Sequence, residues 1–197
     1  MPSDRRDLRR RLFATAAEHG GYFSAAQARR LGYSYQAQAH HVAAGNWARV
    51  DRGLFRLVDW VSELHDDLAL WTLLSGGRGV VSHESAAAVH AIGEVESGMV
   101  HLTVPPGFSR TTRGVVLHPA VLVEDDSEQR TGFRVTTPAR TIIDVAAAGA
   151  DEDHIARMLA DAIESGAVEP EGIGVRAEVV DVRAALTIER ALHSVRR

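Results

Sequence analysis

Between Ser24 and Leu57 the sequence is punctuated so closely that only short elements fit, in one order. Ser24 is followed three residues later by Gln27, a capping box that opens a helix carrying Ala25, Ala28 and Leu31 inward. Gly32 ends that helix, because glycine tolerates the left-handed conformation of a C-terminal cap. Ser34 then caps a further helix, YQAQAHHVAA, which Gly45 closes. Two β-rich runs, 47–50 and 54–57, flank Asp51-Arg52-Gly53, which reads as a hairpin with glycine at its tight turn. Upstream, Leu8, Leu12 and Ala16 make an apolar stripe, widened by Phe13 and Ala17, on a helix predicted over 4–19. Gly20-Gly21 breaks it, and Tyr22-Phe23 can form a short strand. Helix, helix, turn, helix and hairpin in this order is the plan of a winged helix-turn-helix.

Charge is divided along the chain in the same way. The net formal charge is −4, yet residues 1–60 carry ten arginines against five acids (+5), and the remainder carries twelve against twenty-one (−9). A basic head on an acidic body suits phosphate contact at one end only. The chain is therefore divided into a DNA-binding domain, 1–60, and a mixed α/β domain, 62–197, which makes the fold class α+β. Every basic residue is arginine, so Walker-type phosphate loops, protein-kinase sites and pyridoxal Schiff bases, which all need lysine, are excluded. The absence of cysteine removes disulfides, thiolate nucleophiles and cysteine-bound zinc. No apolar run reaches the roughly 20 residues of a membrane span, and the N-terminus lacks a signal-peptide core. A cytoplasmic protein with no membrane partner is expected.

Residues 59–63 read as a linker. A helix is predicted over 64–74, a short strand at Val80-Val81 and a helix over 84–91. A strand follows, with Val100, Leu102 and Val104 inward and His101 and Thr103 outward. Further strands are expected at 115–117, 121–123 and 133–135. Thr137-Pro138 opens a helix through Ala147, with proline at the first helical position. Asp151 starts another, carrying Ile155, Met158, Leu159 and Ala162 to a stop at Gly166. One last amphipathic helix is predicted over 175–195.

In a winged helix-turn-helix the third helix enters the major groove. Its spacing puts Tyr35, Gln38 and Val42 on one face and Gln36, His40 and Ala43 on the other. Gln36 and His40 are the candidates for base edges, with Ser34 and Tyr35 nearby: glutamine can pair with adenine, and histidine can donate to guanine. Arg29 and Arg30 at the end of the second helix, and Arg49 and Arg52 in the wing, are candidates for phosphate contacts. His41 is expected to pack against the face of Val42 or against the first helix.

Enzyme readings find little support. His83 and His90 lie seven residues apart, about 10 Å along a helix, too far for one ion, and the zinc-protease spacing would need histidine where Ala87 stands. His65-Asp66-Asp67 lacks the companion histidines of a metal phosphohydrolase. Asp144, alone in an apolar helix, reads as a packing acid bonded to a nearby arginine. No catalytic residue, cofactor or metal is expected.

The run GYSYQAQAHHVAAGNWARVDRGLFRL (32–57) resembles the winged helix of AbiEi-family antitoxins, regulators of type IV toxin–antitoxin pairs. SHESAAAVH from Ser82, HLTVPPGF from His101, FRVTTPARTIIDVA from Phe133 and RAALTIERAL from Arg183 extend the resemblance along the chain. The resemblance implies a bacterial antitoxin that binds double-stranded DNA at repeats in its own promoter and represses it. It also implies that the second domain counteracts a nucleotidyltransferase-like toxin. The alternative is a protein-binding module that neutralises a toxin by direct contact, without sequence-specific DNA binding.

Overall fold

The computed structural model describes residues 5–94, 98–109 and 114–195. Asp4, where the first helix was expected to begin, lies outside them. The chain packs as two units, 1–77 with 130–133, and 78–129 with 134–197.

The first unit is a winged helix-turn-helix. Its elements run α1 (Arg5–Ala17), β1 (Tyr22–Ser24), α2 (Ala25–Leu31), α3 (Tyr35–Ala43), β2 (Trp47–Asp51), β3 (Leu54–Leu57) and α4 (Asp66–Leu74). The strands form an antiparallel sheet in the order β1-β3-β2. The caps act as their residue types dictate. Ser24 Oγ accepts from the Gln27 amide, and Gln27 Oε1 accepts from the Ser24 amide in return. Gly32 ends α2 at φ +115°, and Ser34 Oγ accepts from the Ala37 amide at the start of α3. Leu12, Ala16, Phe23, Ala28, Tyr33, Trp47 and Phe55 form the core, with Phe23 and Trp47 packed edge to face. Asp66, at the start of α4, holds the chain after the wing: its Oδ2 accepts from Arg56, the Trp60 indole and the Glu63 amide. That structural duty accounts for Asp66.

The second unit contains β4 (Val80–Val81), α5 (His83–His90), β5 (Val100–Val104), β6 (Val115–Pro119), β7 (Ser127–Arg130), β8 (Phe133–Thr136) and four helices: α6 (Pro138–Ala147), α7 (Glu152–Glu164), α8 (Pro170–Val180) and α9 (Val182–Val195). Its sheet runs β6-β5-β4-β8-β7, with β4 antiparallel to β5 but parallel to β8. The helical core gathers Ile142, Ile143, Ile155, Met158, Leu159, Ile173 and Ile188.

Three expectations for this unit need correction. The strand expected at 121–123 is absent: that stretch is irregular and leads into a 3-10 turn at Glu124–Asp126, and pairing begins only at Ser127. Thr103, placed outward by alternation, is 2% exposed, because both faces of β5 are covered at that point. The single helix expected over 175–195 is two. Pro170 opens α8, and Asp181 interrupts the run by accepting from the amides of Arg183 and Ala184 at the start of α9.

Candidate nucleic-acid interface

The orientation of α3 decides which side chains can meet a ligand, and Gln38 fixes it. This residue is 3% exposed, and its Nε2 donates to the carbonyls of Tyr33 (3.1 Å) and Ala25 (3.2 Å). A buried amide needs such partners, and here they tie α3 back to the turn and to α2. Gln36 and His40 are exposed on the opposite side, as the spacing of α3 had placed them. Tyr35, grouped with Gln38 by spacing, is instead 67% exposed, because the first turn of α3 projects beyond the core. The Arg29 guanidinium covers its ring at 4.8 Å from the centroid, a cation–π contact that joins two predicted site residues from different helices.

The remaining candidates sit on separate elements. Ser34 is half-buried and occupied as the cap of α3. Arg30 is exposed in the last turn of α2. Arg49 is exposed on β2, with its guanidinium 5.9 Å from the centre of the Phe55 ring. Arg52 is exposed at the tip of the wing, where its amide donates to Asp51 Oδ1 and Gly53 takes φ +72° to close the turn. His41 stacks on Trp47, with ring centres 4.7 Å apart and planes at 11°. Burial, then His40 and Arg9, lower its pKa and disfavour the charged ring, as its place in the packing requires.

Of two polar clusters in the second unit, the sequence pointed to one contact only, that of Asp144 with a nearby arginine. In the first, His83 and His118 stack at 3.5 Å between ring centres, and His101 Nδ1 lies 3.1 Å from His118 Nε2 and 2.8 Å from Glu84 Oε2. Burial, followed by the neighbouring His118, His101 and Arg140, pushes the His83 pKa down to about 3. In the second, Arg140 donates to Asp144 and Asp126, both at 2.7 Å, and Arg176 donates to Asp126. Burial alone would raise Asp126, but hydrogen bonds from Arg176 and the Val123 amide, with both guanidinium charges, bring it below the usual carboxylate range. Asp144 moves the other way. Burial raises it, one shared arginine offsets this only in part, and its Oδ2 lacks a hydrogen-bond partner. The i, i+4 spacing of Arg140 and Asp144 was the one visible signal, and it supports the packing role expected for Asp144. Among the described residues, no group of three histidine, aspartate or glutamate side chains is placed to hold a metal ion. His90 instead contacts the Thr136 carbonyl at 2.7 Å.

The first unit thus defines a protein of the winged helix-turn-helix class, with an exposed third helix set among arginines. Residues 10–58 match the family model described as "Transcriptional regulator, AbiEi antitoxin", so the resemblance seen in the sequence holds over this segment. That family is one of regulators and antitoxins, not an enzyme class. The whole fold is similar to the crystal structure of the RV2827C protein from Mycobacterium tuberculosis, at 14% identity and TM-score 0.59, covering 93% of this chain and 77% of that one. None of the curated proteins matches the sequence. No helix among the described residues is long and apolar enough to cross a membrane.

Proposed function

We propose that this protein is a cytoplasmic DNA-binding regulator that represses its own promoter. In this reading α3 enters the major groove, and Gln36 and His40 meet base edges with Ser34 and Tyr35 beside them. Arg29, Arg30, Arg49 and Arg52 hold phosphates. The observation that carries the proposal is the division of α3: Gln38 is locked in the core by two carbonyls, while Gln36 and His40 are free on the opposite face. The second unit acts as the antitoxin body against a nucleotidyltransferase-like toxin, as the family resemblance suggests. A gel shift tests the central claim, comparing the region upstream of the gene with an unrelated duplex at physiological salt. Preference for the upstream region supports it. Equal binding reduces it to charge contact alone.

One observation favours the second reading, a protein-binding module. Val175 and Val179 on α8, and Val182 and Leu186 on α9, are 50–74% exposed, and each pair is spaced to share a helix face. Co-purification with the product of a neighbouring gene, together with no shift of the upstream DNA, would select this reading.

A further inference from the structure

A concave pocket of about 570 Å³ opens in the first unit between α1, α3 and β2. Its volume falls within the range of small-molecule sites, roughly 300–1,000 Å³. Leu8, Leu12, Leu57 and Trp47 give it an apolar lining, and His41 lies stacked on Trp47. Arg5 and Arg9, one helical turn apart on α1, also line it, against Asp59 as its one acid. The Arg9–Asp59 pair is 3.8 Å long with both side chains more than 80% exposed, so it is weak and can give way to another anion. An apolar lining with two arginines against one aspartate suits an aromatic body bearing one negative charge.

We infer that this pocket binds a small aromatic monoanion, a carboxylate or sulfonate, and that its occupancy alters operator binding. The coupling rests on the DNA-binding reading above and follows from shared residues. His40 lines the pocket and is also a candidate base reader, and Ser34, the cap of α3, lines it as well. A ligand that engages His40 withdraws it from the groove and weakens operator binding. No displacement of the core is required.

The probe is 8-anilinonaphthalene-1-sulfonate, titrated by fluorescence into the full-length protein. Saturable enhancement is expected. Ala37→Phe fills the pocket from α3, and Arg9→Glu reverses charge on an exposed side chain that does not support the fold. Each should weaken probe binding at least about tenfold. Val179→Arg, on the exposed aliphatic face of α8, should leave the titration unchanged. No enhancement with the native protein, or loss with Val179→Arg but not with the pocket variants, would overturn the site. In gel shifts the probe should raise the operator midpoint of the native protein and not of Ala37→Phe. Pocket-specific binding without that rise would overturn the coupling. A protein that binds the probe but no operator at all would instead refute the DNA-binding reading and leave the site standing.

Discussion

The Gln38 side chain donates to the Tyr33 carbonyl at 3.1 Å and, with its second bond to the Ala25 carbonyl, turns one face of α3 inward. With Gln38 turned inward, Gln36, two residues earlier, points about 200° away around the helix axis, on the exposed side. The two glutamines should therefore fail differently. Gln36→Ala should leave stability unchanged while costing about 1–3 kcal/mol on the operator and relaxing preference at one base position. Gln38→Ala should lower stability by about 1–3 kcal/mol, because two carbonyls lose a donor, the one at Tyr33 in a buried bond. Thermal melts and gel shifts on base-substituted duplexes separate the two. If Gln38→Ala removes sequence preference in a protein that still melts normally, the assigned face is wrong.

Arg52 differs from both in kind. It sits at the tip of the wing, beyond the Arg49–Asp51 bulge, with its guanidinium exposed. A side chain at a wing tip reaches backbone more readily than base edges. Arg52→Ala should weaken binding about equally on every duplex and reduce the slope of log affinity against log salt by about one unit. A loss confined to the operator would move Arg52 into the base-reading set.

The winged helix was readable because its signals are local. Ser24, Gln27, Gly32, Ser34 and Gly53 each shape backbone within four residues of themselves, so the sequence alone reports what they do. The exposure of Gln36 and His40 followed from helical spacing in the same way. The histidine stack did not, because His83, His101 and His118 come from three elements and meet only once β5 and β6 pair in register, Thr103 opposite His118. Asp126 is hidden for a like reason. Its partners Arg140 and Arg176 lie 14 and 50 residues further on, and no local rule couples them. The break at Asp181 was missed because the residues on both sides continue a helical apolar pattern, and only the amides of Arg183 and Ala184 reveal the new cap.

Arg140 should be among the most sensitive positions of the second unit. Its side chain is 5% exposed and bridges Asp126 and Asp144, which are 3% and 7% exposed. Replacing it with methionine keeps much of the volume but leaves two buried carboxylates without their shared cation. Breaking a buried pair from one side costs about 3–5 kcal/mol, far more than removing both partners. Arg140→Met should therefore lower the denaturation midpoint sharply, and adding Asp144→Asn should recover part of the loss. If the double variant is no more stable than the single one, the cost lies in packing and not in the orphaned charge.

The histidine stack gives the second unit a predicted sensitivity to acid. Burial holds the His83 imidazole neutral, with a pKa of about 3 against an ordinary 6.5, and His118 is lowered in the same direction. A histidine whose folded pKa is depressed leaves the unfolded chain binding more protons, so stability falls as the pH drops below 6.5 and goes on falling until about 3. Asp126, also depressed, adds to the loss at the acid end, whereas the raised Asp144 works against it. His83 also holds φ at +51°, a left-handed conformation that asparagine tolerates well. His83→Asn thus removes the titrating ring without forcing the backbone to move. Denaturation midpoints measured from about pH 7 to about pH 3 should fall less steeply for this variant than for the native protein. Equal slopes would mean that the acid sensitivity comes from other groups, and that the buried His83 does not supply the coupling.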